Sequence, residues 1–441
     1  MSKLRLIWSN LVGSFWLVPS LIFSLAIAIA SVLVSLDNGE MREWMKAWPH
    51  LFGAKAESAR GMLSTIAGSM MTVVGVTFSM TLVTLALASN QFGSRIVRNF
   101  MRDRVMQVAL GTFAGIFIYC LIVLRTIRGG DEAFIPSLAV TFGFVIAMVG
   151  IFMLIVFIHH VASGIQVSSV LASVAGETVA AADRMMADGG VRDEDDGERE
   201  RPDAGLSAWH PIASLRTGYV QGVAVEELVG CAEACGAVIR MDKGVGEFVA
   251  SQTTLAWIST PGPPDENLMA RVRDAYSVNR FRTIDQDPSF GVRQVVDIAL
   301  RALSPGINDP ATAVMCLDYL SAILAHVAGK PFPAARRCSN GRLRVIAVTP
   351  TFEKLLDDSL DEIRASARGN VKVLDALFVV IQTVAEQTFD SGRRQALREK
   401  LDCLGELATS IESSLDRKRF LSRLRDPQRS ITEWRAPNQP M

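Results

Sequence analysis

The sequence predicts an α-helical membrane protein with four transmembrane helices and a cytoplasmic α+β domain that is mainly helical in its C-terminal half. Two observations support this fold class. The first 160 residues contain four charge-free apolar stretches, and a helix needs about 20 such residues to cross a hydrocarbon core. The remaining residues carry most of the charges and combine short β-rich segments with helical apolar periodicity.

The four predicted spans occupy residues 11–36, 61–94, 105–124 and 133–158. The first contains Pro19, which a membrane helix tolerates when neighbouring groups satisfy the freed carbonyl. Its apolar stretch is too long for a secretory signal peptide. We therefore expect a multi-pass protein that is embedded in the lipid bilayer.

The second span differs from an ordinary lipid-facing helix because it holds ten Ser or Thr hydroxyls. Gly61, Gly68 and Gly75 recur at seven-residue spacing within it. Small residues let helices approach closely, so this span is expected to be an interior, close-packed helix.

Two functions are open for this span. The side chains of Thr65, Ser69, Thr72 and Ser79 fall within about 80° of one another on a helix, so they could line a water-filled path. A ridge of small residues at helical spacing could instead only pack against a neighbouring helix. The candidate pore-lining or helix-packing residues are Thr65, Gly68, Ser69, Thr72, Gly75 and Ser79.

The orientation rests on the distribution of basic residues and on the cysteines. If the N-terminus is cytoplasmic, the inside and outside loops each carry six Lys or Arg, so the positive-inside count is a tie. The inside charges are denser along the chain. Five cysteines with irregular spacing lie after residue 230, which suits a reducing compartment better than a disulfide framework. Both termini are therefore predicted to be cytoplasmic.

Composition divides the chain further. The predicted domains are a four-helix transmembrane domain (1–160), a helical neck (161–182), a charged linker (183–209), a small α/β module (210–260), a helical domain (261–425) and a tail (426–441). The neck is interpreted as a continuation of the fourth helix beyond the membrane. The alternative is a helix that breaks near Gly164 and lies on the membrane surface.

In the α/β module the patterns predict strands at 219–225, 237–241, 247–249 and 254–258, and a helix at 225–235. Beyond residue 285 the pattern is mostly helical. Asp287-Pro288 and Asp309-Pro310 are suited to begin helices, because Asp caps and Pro fits the first helical position. A seam that joins subunits or packs within the chain is formed by Leu397, Leu401, Leu404, Ala408, Ile411 and Leu415.

Three phrases resemble a known family. They are Asn90-Gln91-Phe92-Gly93-Ser94-Arg95, Asp285-Gln286-Asp287-Pro288-Ser289-Phe290-Gly291, and Ala302-Leu303-Ser304-Pro305-Gly306-Ile307-Asn308-Asp309-Pro310. Together they resemble the bacterial predicted-membrane-protein family called domain of unknown function 2254. The resemblance implies four membrane helices, a cytoplasmic C-terminal domain, and no established activity or catalytic residues. The expected location is the bacterial inner membrane.

Candidate chemistry is sparse. Asp285, Asp287 and Asp309 could form a carboxylate cluster, but helix capping explains the two Asp-Pro pairs. Cys231 and Cys235 share a helix face without a second ligand pair for zinc. We find no catalytic motif, so the sequence predicts no enzyme, no cofactor and no metal site.

His159 and His160 follow the fourth span and are interpreted as polar residues at the membrane boundary, the alternative being a metal or proton site. Adjacent helical residues point about 100° apart, which disfavours chelation of one metal.

Two functional hypotheses remain. The leading one is a homo-oligomeric channel or transporter for a small solute or ion, with a cytoplasmic regulatory domain. The competing one is a membrane-tethered sensor or scaffold whose cytoplasmic domain binds a partner or ligand. Residues 161–441 hold 33 basic and 38 acidic side chains, and this negative balance argues against nucleic acid as a partner.

Overall fold

The computed structural model describes residues 16–36, 56–92, 103–128, 134–164, 166–187 and 208–433. The chain divides into two compact units, Met1–Ser169 and Val170–Met441, and each is described by itself. The described part of the first is mainly helical, with an isolated antiparallel bridge between Arg128 and Phe134, and the second combines helices with two small β-sheets.

The N-terminal unit contains four long helices in its described part: α1 (Leu17–Leu36), α2 (Ala56–Phe92), α3 (Arg104–Thr126) and α4 (Ser137–Gly164). Each overlaps one predicted span and is long and apolar enough to cross a membrane. The final residues of the second predicted span, 93–94, lie outside the described residues.

The central helix of this unit is α3, which packs against α1, α2 and α4. Half of the residues in the most apolar part of α3 are buried, whereas about a sixth are buried in the corresponding part of α2. Gly111 and Gly115 allow this packing, since a Cβ built on Gly111 would lie 2.9 Å from the Cα of Pro19 in α1. The expectation that the second span is the interior helix is therefore wrong within one copy of the chain. The glycines that lie closely against neighbouring helices are on α3 and α4.

Hydrogen bonds to and from side chains stabilise the helix ends of this unit. Asp103 caps α3 by accepting hydrogen bonds from the amides of Val105 and Met106, which satisfies donors that a helix start leaves free. Near the other end of α3, Arg60 donates to the carbonyl of Ile127 at 2.7 Å.

Helix α4 ends at Gly164, and a separate helix, α5, spans Val167–Ala187. The predicted neck is thus helical over most of its length but is not one continuous helix with the fourth span. The α5 helix also continues five residues into the segment predicted as a charged linker. Residues 188–207 of that linker lie outside the described residues.

The C-terminal unit contains two sheets. The strands are β1 (Trp209–Ala213), β2 (Gly218–Val223), β3 (Val238–Met241), β4 (Phe248–Val249), β5 (Thr254–Ser259), β6 (Tyr276–Asn279), β7 (Arg336–Ser339) and β8 (Arg342–Ile346). One sheet has the order β1-β5-β3-β8-β7 and the other β4-β2-β6. The pairing of β3 with β8 is parallel, and the other pairs are antiparallel. Helices α6 (Val225–Cys235) and α7 (Glu266–Asp274) pack on the larger sheet.

The predicted boundary at residue 260 does not separate the module from the helical domain. Strand β6 pairs with β2, and the β7–β8 hairpin adds two strands to the larger sheet. Both pairings join residues far apart in sequence, so they leave no local signature next to β2 or β3. The predicted strands and the helix at 225–235 are confirmed.

The remaining helices form a layer of their own. They are α8 (Pro288–Ala302), α9 (Pro310–Ala328), α10 (Phe352–Ser366), α11 (Val371–Glu386), α12 (Ser391–Leu407) and α13 (Ser414–Glu433). Helix α9 is the fifth helix in the described chain with the length and composition of a membrane span. Its apolar side chains are buried against α8, α10 and α11, as expected for a core helix.

The C-terminal seam packs within the chain. Leu397, Leu401 and Leu404 are buried on α12, and Ala408 and Ile411 are buried just after it. A short 3₁₀ turn, Ala408–Ser410, ends the helix before the heptad is complete. Leu415 on α13 is 57% exposed, so it lies outside the buried seam.

Candidate functional site

The first candidate site is the small-residue face of α2. Gly61, Gly68 and Gly75 have no atom within 4 Å of a built Cβ. The hydroxyl residues of the same face are also exposed: Thr65, Ser69, Thr72 and Ser79. The structure therefore brings the six predicted site residues onto one surface, and the described residues of the same copy leave that surface open.

The opposite face of α2 carries the intramolecular packing. Its buried residues are Ala59, Leu63, Ala67, Met70, Thr77, Thr84 and Ala88. At 100° per residue the two faces are centred about 180° apart. Helix α2 therefore packs on its own bundle with one face and presents glycines and hydroxyls on the other.

The hydroxyls of this open face are only partly satisfied. Thr65 donates to the carbonyl of Gly61 at 2.8 Å, and Thr72 donates to the carbonyl of Gly68 at 3.1 Å. The oxygen of each hydroxyl keeps lone pairs that can accept from water. A lipid surface offers no such partner, and a polar group in hydrocarbon is costly. Water or another protein surface suits this face better than lipid.

The second candidate site is the segment Asp285–Gly291, in which Asp287 has the role predicted for it. Its Oδ1 accepts from the amide of Phe290 at 3.1 Å, which caps α8. Its Oδ2 accepts two hydrogen bonds from Arg282, at 2.9 and 2.7 Å. Burial raises the pKa of the Asp287 carboxyl, and Arg282 acts in the opposite direction.

The neighbours of Asp287 connect three elements of the C-terminal unit. Gln286 accepts from the amide of Val223 in β2 at 3.2 Å. The carbonyl of Asp285 accepts from Arg184 in α5 at 3.1 Å. A Cβ built on Gly291 would lie 1.9 Å from Oγ1 of Thr178, also in α5. We call residues 285–291 the junction segment, because helix α5, strand β2 and helix α8 meet there.

Asp287 and Asp309, two members of the possible carboxylate cluster, bind different groups. Asp309 caps α9 by accepting from the amides of Ala311 and Thr312, whereas the Asp287 carboxylate binds Arg282. The described residues contain no group of three or more His, Cys, Asp or Glu side chains that could hold a metal ion.

The cysteines and histidines have separate environments. Cys231 is buried and Cys235 is exposed on α6, and burial raises the pKa of the Cys231 thiol. Nε2 of His160 lies 2.5 Å from Oδ2 of Asp103, whereas His159 is exposed. Sequence reasoning missed the pairing of His160 with Asp103, because 57 residues separate the two side chains.

A polar cluster between α5 and α9 was also missed. Lys330 donates to Oδ1 of Asp183 at 2.6 Å, and Nε2 of His326 lies 2.8 Å from the same oxygen. These hydrogen bonds hold the pKa of the Asp183 carboxyl below its usual range. The cluster is a second attachment of helix α5, independent of Thr178 and Gly291.

Comparisons with known proteins agree with the membrane assignment. The family model described as "Predicted membrane protein (DUF2254)" matches residues 12–383. An uncharacterised protein of Mycobacterium bovis is 32% identical over 413 residues, which is 91% of this chain and 77% of the relative. An uncharacterised protein of Mycobacterium tuberculosis has the same identity and coverage. No solved structure matches the chain.

Proposed function

The chain belongs to the DUF2254 family of predicted membrane proteins, and on this premise we propose that it assembles into an oligomeric channel or transporter for a small solute or ion. Helices α1 to α4 are the membrane spans in this proposal, and both termini are cytoplasmic. The solute pathway lies along α2, and the C-terminal unit regulates it.

The open small-residue face of α2 carries this proposal. A helix that only met lipid would gain nothing from Gly68 and Gly75 on its exposed side, since close approach matters only between helices. Among the described residues of one copy the face is not packed, because the opposite face of α2 is the one buried there. A second copy of the chain can supply a partner for the glycines, with hydroxyls lining the space between copies.

Flux through proteoliposomes tests the transport proposal. Stopped-flow light scattering detects uncharged solutes, and ion-sensitive dyes detect K⁺ and Cl⁻. Flux above that of empty vesicles is expected, and replacing Ser69, Thr72 and Ser79 together by Ala should change it severalfold. The control is Ser31→Ala with Ser35→Ala, which removes two exposed hydroxyls from α1. Flux no higher than in empty vesicles, for a protein that is also monomeric, would refute the proposal.

The junction segment favours a second candidate function, a membrane-tethered sensor. Residues 285–291 contact α5 on one side and β2 on another, so a change in the α/β module can reach the helix that follows the membrane spans. A sensor without transport predicts that the triple Ala variant of α2 keeps full biological function, while variants of the junction segment lose it.

A further inference from the structure

The outer face of the larger sheet carries four arginines: Arg240, Arg336, Arg342 and Arg344. Arg240 is exposed between the buried side chains of Ile239 and Met241, so it lies on the side away from the core. Within the described part of the chain, none of the four side chains donates a hydrogen bond or forms an ion pair. Nε of Arg344 is buried and has no hydrogen-bond partner there. Such a face can hold an anionic ligand, since guanidinium groups with free N–H donors form strong hydrogen bonds to phosphates.

Trp257, Arg240, Ile346 and Arg336 lie side by side on neighbouring strands of the sheet. Arg240 lies opposite Trp257 on β5 and opposite Ile346 on β8, and Ile346 lies opposite Arg336 on β7. Strands are about 4.8 Å apart, so the backbones of Arg240 and Arg336 are separated by about 10 Å. This distance lets two guanidinium groups hold different phosphates of one ligand.

Two tryptophans hold Arg240. Its guanidinium carbon lies 5.1 Å from the ring centroid of Trp209 and 5.8 Å from that of Trp257. Cation–π contacts restrict an arginine without using its N–H donors. The guanidinium is therefore positioned in advance for bidentate hydrogen bonds to a phosphate.

Trp257 also forms a wall of the adjoining cleft. The cleft has a volume of about 470 Å³ and includes Phe248, Lys243, Asp242 and Thr254 in its lining. This volume is typical of small-ligand sites. Phe248 is 54% exposed, so its ring is accessible. Two aromatic side chains suit a planar ring, Asp242 can accept from its N–H groups, and Lys243 adds a positive charge.

We propose that this site binds a nucleotide, with the base in the cleft beside Trp257 and the phosphates on the outer sheet face at Arg240, Arg344 and Arg336. A nucleotide has both parts that the site can bind. Its base is a planar ring with hydrogen-bonding edges, which suits the cleft, and its phosphates suit the arginines. A nucleic-acid polymer fits less well, because the C-terminal part of the chain is net negative. The site does not depend on any transport through α2.

Calorimetric titration of the purified full-length chain in nanodiscs tests the site. The ligands are ATP, adenosine and inorganic triphosphate. ATP should bind saturably, and adenosine and triphosphate should each bind at least about tenfold more weakly, because each lacks one half of the contacts. Arg240→Gln and Lys243→Gln should each weaken ATP binding about tenfold.

Two further variants guard against misfolding and general charge effects. Arg336→Gln changes an exposed edge-strand side chain and should weaken ATP binding without altering the thermal unfolding temperature. Arg368→Gln removes an exposed arginine on the helical side of the unit and should leave binding unchanged.

Three outcomes would overturn the proposal. One is the absence of ATP binding, and another is equal binding of ATP and triphosphate, since the aromatic cleft would then contribute nothing. The third is a change of oligomeric state in the arginine variants with no nucleotide bound, which would assign the face to a second copy of the chain.

Discussion

Asp287 combines two structural tasks that its near-equivalent Asp309 does not. Both residues precede a proline and cap a helix. Only Asp287 is buried and paired with Arg282. Capping contributes about 1 kcal/mol, and a partly buried guanidinium that loses its carboxylate adds a further cost. The Asp-Pro pair therefore contributes more to the free energy of unfolding at Asp287 than at Asp309.

The substitution Asp287→Ala is expected to lower the free energy of unfolding of the C-terminal unit by about 2–4 kcal/mol. Asp309→Ala should lower it by only about 1 kcal/mol. Hydrogen exchange of the first turn of α8, together with thermal unfolding of the full chain, measures the difference. Asp287→Asn keeps the cap and removes the ion pair. Equal effects of the two Ala variants would contradict the role given to Arg282.

Asn340 and Gly341 show a local signal that was overlooked. Both have positive φ, 53° and 70°, and they connect β7 to β8 as a two-residue loop. Asn-Gly is the typical sequence of such a hairpin turn, because both residues tolerate left-handed backbone. The hairpin was predictable from this dipeptide, although its pairing with β3 was not.

At the level of helices, Gly291 explains how α8 and α5 come into contact. Thr178 is fully buried, and its side chain occupies the space where a Cβ of residue 291 would be. Ser289 and Phe290 precede this glycine in the phrase that marks the family resemblance. A glycine there has a packing role that needs no catalytic explanation.

The variant Gly291→Ala should separate α5 from α8 and destabilise the C-terminal unit by about 1–3 kcal/mol, as overpacking does. Thr178→Ala should recover part of this loss in the double variant, since it removes Oγ1 and Cγ2. Thermal unfolding of the four proteins forms a double-mutant cycle. Strict additivity of the two changes would show that the contact is absent.

The attachment of α5 to α9 should depend on pH through Asp183. Because Lys330 and His326 lower the pKa of this carboxyl, its contribution is fully present above the unfolded value of 3.8. The contribution is lost as the pH falls through the lower folded pKa. We expect the stability difference between the native chain and Asp183→Asn to disappear as the pH falls from about 5 into stronger acid.

Thermal unfolding across this pH range measures the difference. Glu226→Gln is the control, because Glu226 is exposed on α6 and has no described ion pair. A difference that instead grew as the pH fell below about 4 would contradict the assigned direction.

For the assembled molecule, the open face of α2 makes a prediction about subunit number. Gly68 and Gly75 are exposed, and no described atom lies within 4 Å of a Cβ built on either, so a larger side chain can extend outward from both positions. Gly68→Leu with Gly75→Leu should leave the protomer folded and weaken self-association at least about tenfold, because bulky side chains keep helices apart. Native mass spectrometry measures the subunit number.

The control for this experiment is Ala28→Leu, which enlarges an exposed side chain on α1. An unchanged oligomer in the α2 variant, or a monomeric native chain, would remove α2 from the subunit interface.

Much of the architecture was accessible from local sequence. The four apolar stretches, the two Asp-Pro helix starts and most strands of the first α/β segment were predicted correctly. Each depends on hydropathy over about twenty residues or on a cap within one turn. The family assignment also followed from short sequence phrases, and the match of the family model to residues 12–383 confirms it.

Tertiary structure alone decided which surfaces are buried and which are open. The composition of α2 indicated close packing, but whether Gly68 and Gly75 face the bundle or its exterior depends on the other three helices. The same holds for Thr178 against Gly291 and for Arg240 between two tryptophans, since each contact joins residues distant in sequence. The sequence by itself determined that this is a multi-pass helical membrane protein with a mixed C-terminal unit. Non-local packing determined that its glycine and arginine faces are exposed.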